Sequence, residues 1–193
     1  MTDFRVLIVC TANHCRSPIA EQLLVAAAAK RLTTPNQWTV ESAGTDIPGP
    51  WPLHPSASEV LAERLPAVAE HYSRQLKPAM IQRADLVLTA TRKHRGIVVS
   101  SVPAAVGRTF TILQFARLCE QVSPITAVEP GDAGRLLVVE AKLARSSLQP
   151  VPGEDDDLPD PMGRGLAEFE VCADRLQDAV DRILRPLTPG VAS

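Results

Sequence analysis

The chain has 193 residues, 45% of them apolar, and a formal net charge of −2; this is the balance of a single folded domain, not of a disordered charged tail. A pI near 6.1 argues against a nucleic-acid binder that neutralises phosphates broadly. The longest apolar runs, Val6 to Val9 and Leu86 to Ala90, fall far short of the ~20 residues of a membrane helix. Without a basic segment and a long apolar stretch at its start, the chain does not read as secreted, so a cytoplasmic protein with its four cysteines kept as thiols is expected. Seventeen prolines stand against two Trp, one Tyr and four Phe, which implies that part of the chain is not tightly packed core.

Phe4 to Val9 is a short, β-branched apolar run, as expected for a strand buried on both faces. It stops at Cys10-Thr11-Ala12-Asn13-His14-Cys15-Arg16, and a helix follows, with Ser17 as its N-cap, Pro18 at the first helical position and Glu21 in the first turn. Ile19, Leu23, Leu24, Ala27 and Ala28 give that helix one apolar face. A second strand is predicted at Trp38 to Glu41, ending in Ser42-Ala43-Gly44-Thr45. A stiff loop carrying Pro48, Pro50, Pro52 and Pro55 comes next. Ser56 to Leu65 reads as a helix, Leu86 to Ala90 as a third strand and Phe110 to Leu113 as a fourth. Such alternation predicts an α/β fold, a parallel sheet with helices on both faces. Past Pro130-Gly131, a helix over Asp132 to Ser147 leads into an acidic, proline-rich loop from Gln149 to Pro161. The last helix, Leu166 to Leu184, is amphipathic throughout. The basic run Arg92-Lys93-His94-Arg95 reads as a solvated helix face.

The turn after the first strand carries the chemistry. Cys10 and Arg16 with five residues between them recur by chance too often to decide anything alone. A buried strand ending at the Cys and a helix beginning just after the Arg change that. They place backbone N–H groups and a helix N-terminus around one small volume, an anion site. The same field favours a thiolate at Cys10, and Arg16 adds a planar fork suited to two oxygens of a tetrahedral oxyanion. A thiolate beneath a phosphate cradle is placed for in-line attack on phosphorus. Cys119 and Cys172, on apolar helix faces, read as inert. The leaving oxygen needs an acid; the acidic loop offers Glu154, Asp155, Asp156, Asp157 and Asp160, with Asp160-Pro161 favoured.

At this point the chain resembles the low-molecular-weight protein-tyrosine phosphatases. The matching residues are Val6 to Cys10, Asn13 to Glu21, Ser42-Ala43-Gly44-Thr45, His71 to Leu76, Ala84 to Leu88 and Asp160-Pro161, in the family's order and covering roughly residues 4–115 and 155–186. The resemblance implies a four-stranded parallel sheet and makes Cys10 the nucleophile, Arg16 the phosphoryl holder and Asp160 the general acid. Thr11, Ala12, His14 and Cys15 complete the phosphate loop, Ser17 donates to the Cys10 thiolate, and Asn13, Ser42 and His71 support the loop's shape. Cys15 matches a second loop cysteine that forms a disulfide with the nucleophile under oxidation, shielding it from over-oxidation. Three departures stand out. Met162 follows Asp160-Pro161 where relatives place an aromatic. His14 replaces an apolar loop residue, facing either the substrate or the rim. Residues 116–154 are longer than the family requires, within a single domain spanning 1–193.

The function expected is a phosphomonoesterase acting on phosphorylated protein, with phosphotyrosine first. It needs no cofactor or metal, has no nucleic-acid or membrane partner, and is expected to be monomeric. Arsenate reduction on the same scaffold is the alternative. It needs relay thiols, and residues 77–118 hold no Cys, leaving Cys119 or an external thiol. A non-catalytic phospho-binding module would show a damaged site, whereas Cys10, Arg16 and Asp160 are all in place. The singly scattered His14, His54, His71 and His94 lack zinc-site spacing, and no Gly-x4-Gly-Lys is present.

Overall fold

A computed structural model describes residues 3–32, 37–126, 129–149 and 151–187. Pro150 of the predicted acidic loop lies outside them. Four strands, β1 (Phe4–Cys10), β2 (Trp38–Gly44), β3 (Leu86–Thr89) and β4 (Thr109–Thr111), form one sheet in the order β2-β1-β3-β4. Every pairing is parallel, with Ile8 opposite Ser42 on one side and Leu88 on the other. This is the expected α/β architecture, and its alternation explains the unbroken apolar run of β1. Phe4, Val6 and Ile8 enter one core, while Leu7 and Val9 enter the other.

The helices are α1 (Arg16–Arg31), α2 (Pro55–Ala62), α3 (Pro78–Arg83), α4 (Arg92–Ser101), α5 (Ile112–Cys119), α6 (Pro130–Ser147) and α7 (Leu166–Leu184). The larger core takes Leu23 and Leu24 of α1, Phe115 of α5, Leu137 of α6 and Phe169 and Leu176 of α7. Met80 and Ile81 of α3 and Val98 of α4 close the smaller one. Each such side chain stabilises the fold by about 1.5–3 kcal/mol on burial.

Several boundaries differ from expectation. Ser17 is not an N-cap: α1 starts at Arg16, with Cys15 in the cap position and no side-chain cap bond. The Ser17 hydroxyl is turned into the loop instead, 3.0 Å from Cys10 Sγ. Ile112 and Leu113 belong to α5 and not to the fourth strand, because the Thr111 hydroxyl accepts the Gln114 N–H and caps the helix there. Pro130 opens α6 where a break was expected, since a missing N–H costs nothing at the first helical position. The second predicted helix ends at Ala62, short of Leu65. The acidic loop holds one 3-10 turn, Gly153–Asp156. The basic run on α4 is not wholly solvated, because His94 is buried.

Candidate active site

β1 and β3 are neighbours, yet α1 leaves β1 over one face of the sheet and α4 leaves β3 over the other. Such a reversal opens a crevice at the carboxyl ends of the two strands, where open α/β sheets bind ligands. The loop Cys10 to Arg16 lines one side of this crevice and Thr91 to His94 the other. A cavity of about 420 Å³ lies between them, with Thr11, Arg16 and Asp160 facing Thr91, Lys93 and His94.

Asn13 holds the loop in shape. Its φ of +51° is the one left-handed non-glycine backbone among the described residues, a conformation that Asn tolerates. Its side-chain amide donates to Ser17 Oγ (3.0 Å) and Ser42 Oγ (2.7 Å), and its Oδ1 accepts the Arg74 N–H (2.9 Å). His71 Nε2 and Ser73 Oγ, each at 2.8 Å, donate to its carbonyl. Ser42 Oγ in turn donates to Glu21 Oε2 (2.5 Å). The Ser17 hydroxyl already accepts from Asn13, so its proton is left for Cys10 Sγ. From below, the Thr45 and Asp46 N–H groups bond the Cys10 and Thr11 carbonyls. Gly44 is needed beneath them, because a Cβ there would stand 2.5 Å from the Thr11 carbonyl oxygen.

Arg16 is 5% exposed. Its Nη1 donates to the Leu158 carbonyl (3.3 Å); its Nη2 donates to Thr11 Oγ1 (3.3 Å) and Asp160 Oδ2 (2.5 Å). Nε is buried with no partner among the described residues. A guanidinium N–H left so is costly unless an oxyanion accepts it, which fits a tetrahedral anion in the loop.

The fold sorts the five acidic candidates. Leu158 N–H bonds the Ala90 carbonyl, pinning the loop to the end of β3. Asp156 pairs with Arg117 (3.0 Å), and Asp157 accepts the Arg92 N–H at the start of α4 (2.7 Å). Glu154 and Asp155 are exposed in the 3-10 turn. Asp160 alone of the five pairs with Arg16, and its Oδ1 accepts the Met162 N–H.

A model of the family described as low molecular weight phosphotyrosine protein phosphatase matches residues 5–123. The chain belongs to that family. The protein-arginine-phosphatase of Geobacillus stearothermophilus is 30% identical over 184 residues, covering 95% of this chain and 96% of that one. The probable low molecular weight protein-tyrosine-phosphatase EpsP of Ralstonia nicotianae is 36% identical over 107 residues, 55% of this chain and 69% of that one. The low molecular weight protein tyrosine phosphatase of T. tengcongensis superposes with a TM-score of 0.70 at 26% identity, covering 96% and 100% of the two chains.

At this phosphatase's mouth, His14 takes one of the two placements expected for it. His14 sits at the rim: its Nδ1 donates to the Pro52 carbonyl (2.6 Å), and its ring packs edge-on against Trp51 and His54, with His54 stacked on Phe169. Trp51, 41% exposed, thus brings an aromatic to His14 of the loop, while Met162, bonded through its N–H to Asp160, is also exposed. Ser73 and Arg74 adjoin His71 in sequence, a signal that would have found them. Nothing in the sequence marked Thr91 or His94 as neighbours of the loop. Burial pushes the Cys15 thiol up to about 12, with the nearby Cys10 and Asp160 adding to the effect. Burial does the same at Cys172, to about 12, and raises the Cys119 thiol further still. Among the described residues no helix is long and apolar enough to cross a membrane.

Proposed function

We propose that this phosphatase works through a phosphocysteine formed on Cys10. The carrying observation is that one short loop joins the Cys10–Ser17 pair to an Arg16 whose other partner is Asp160. Cys10 sulfur attacks phosphorus, the bond to the leaving oxygen breaks, and Asp160 gives that oxygen its proton. Phosphoryl oxygens compete for the Arg16 N–H that Asp160 holds, which releases the carboxyl to face the leaving oxygen. In the second step water attacks phosphorus and gives a proton to Asp160. The S–P bond then breaks, leaving phosphate and the thiolate.

The partner is a phosphorylated protein, read first as phosphotyrosine, whose leaving group has a pKa of about 10 and gains from an acid. Phosphoarginine is the second reading, favoured by the arginine-phosphatase relative that matches nearly the whole chain, including the part beyond residue 123. Arsenate reduction by an internal thiol relay is disfavoured, because Cys119 and Cys172 are buried with their thiols held protonated. Hydrolysis of p-nitrophenyl phosphate without added metal, lost in Cys10→Ser, tests the chemistry; turnover by that variant would overturn it. Rates on phosphotyrosine and phosphoarginine peptides choose between the substrates.

A further inference from the structure

One side chain spans the crevice between the two loops. His94, on the first turn of α4, is 5% exposed. Its Nε2 lies 2.9 Å from Thr11 Oγ1 and its Nδ1 lies 2.7 Å from Thr91 Oγ1. Thr11 Oγ1 in turn accepts an N–H from Arg16 Nη2. A neutral imidazole has one donor and one acceptor, and a hydroxyl serves as either. Whichever nitrogen carries the proton, one threonine donates to the ring and the other accepts from it, so both bonds are satisfied. The charged groups acting on the ring are Arg16 and Lys93 as cations, Asp160 and Asp157 as anions. Burial first, and then Arg16, push its pKa down to about 4, so the ring is neutral near pH 7.

We infer that His94 is a positioning residue for phosphoryl transfer, a neutral bridge that holds the Thr11 hydroxyl against Arg16 and so keeps the guanidinium in register with Cys10 and Asp160. The inference rests on the phosphocysteine reading of this site. Arg16 Nη2 is shared between Thr11 and Asp160, whereas Nη1 is tied to the Leu158 carbonyl. When phosphoryl oxygens displace Asp160, Thr11 and Leu158 are the partners that still locate the fork. Thr11 is itself exposed and α1 does not hold its side chain; His94 does. A cation in place of the ring would repel Arg16. An apolar residue would fill the space but release the hydroxyl.

The test uses His94→Phe, His94→Gln, Thr11→Val and the His94→Phe/Thr11→Val double variant. Each is assayed for p-nitrophenyl phosphate turnover and for vanadate affinity by calorimetry. His94→Phe and Thr11→Val are each expected to lower kcat/KM and vanadate affinity about tenfold, the scale of one hydrogen bond. The double variant should lose no more than either single one, since both break the same bridge. His94→Gln keeps a donor and an acceptor and should restore most of the loss at comparable thermal stability. Wild-type kcat/KM and vanadate affinity in His94→Phe would overturn the inference. So would losses that multiply in the double variant. If His94→Phe does not fold, Thr11→Val, which changes one side chain of an exposed residue, decides alone, and its failure to weaken vanadate overturns the inference. Vanadate binding needs no turnover. Absent hydrolysis by the wild type would therefore count against the phosphocysteine reading, while the affinities still judge His94.

Discussion

Asp160 Oδ2 lies 2.5 Å from Nη2 of Arg16, although 144 residues separate the two in the chain. The pair is unequal: Arg16 is enclosed, while Asp160 is 44% exposed at the mouth. The arginine is therefore the fixed member, and the carboxylate is the member free to turn toward a leaving oxygen.

Asp160→Ala should cut kcat/KM, which reports the step that expels the leaving group, by about 10²–10⁴-fold on phenyl phosphate and clearly less on p-nitrophenyl phosphate, whose leaving group needs little protonation. The slope of log kcat/KM against leaving-group pKa measures this directly. Asp157→Asn should leave that slope unchanged, because Asp157 is occupied at the Arg92 N–H. An equal loss on both substrates in Asp160→Ala would remove it from the acid's role.

Alkylation should distinguish the four thiols. At neutral pH iodoacetamide is expected to label Cys10 alone, with inorganic phosphate slowing the reaction. Cys15 and Cys172 are buried, with pKa values near 12, so only about one molecule in 10⁵ carries either thiolate at pH 7. Peptide mass spectrometry after partial labelling reads the outcome. Early modification of Cys119 would contradict its burial in α5.

Gly44→Ala probes the floor of the phosphate loop. The new methyl would meet the Thr11 carbonyl oxygen and Ile47 Cγ2, each at 2.5 Å, and backbone must shift to admit it. A stability loss of about 1–3 kcal/mol by urea unfolding is expected, as for other overpacked sites. Vanadate affinity should fall as well, because the displaced carbonyl belongs to the residue beside Cys10.

Much of the site was legible from residues 4–18 because its interactions there are short in sequence. A β-branched run stops at Cys10, a proline sits in the first turn of the helix that follows, and the Cys10–Ser17 and Asn13–Ser17 bonds span seven and four residues. Even here the sequence predicts Ser17 as the helix cap, and Cys15 takes that position instead. A serine at a helix start has two uses for its hydroxyl, and the left-handed Asn13 decides between them by pointing an amide at it.

Composition and hydropathy pattern were enough to predict the α/β fold, and a buried strand ending at Cys10 with a helix just after Arg16 was enough to predict an anion site between them. Such features depend on backbone preferences and on contacts within two turns of chain. That Asp160 is the one of the five carboxylates paired with Arg16, that Trp51 packs on His14 and that His94 meets Thr11 is seen only in the folded molecule. Asp160 reaches Arg16 because Leu158 is tied to the end of β3, and His94 reaches Thr11 because β1 and β3 are neighbours whose helices leave over opposite faces. Strand order and loop anchoring arise from packing between distant segments, and local sequence preferences do not encode which distant side chains then meet.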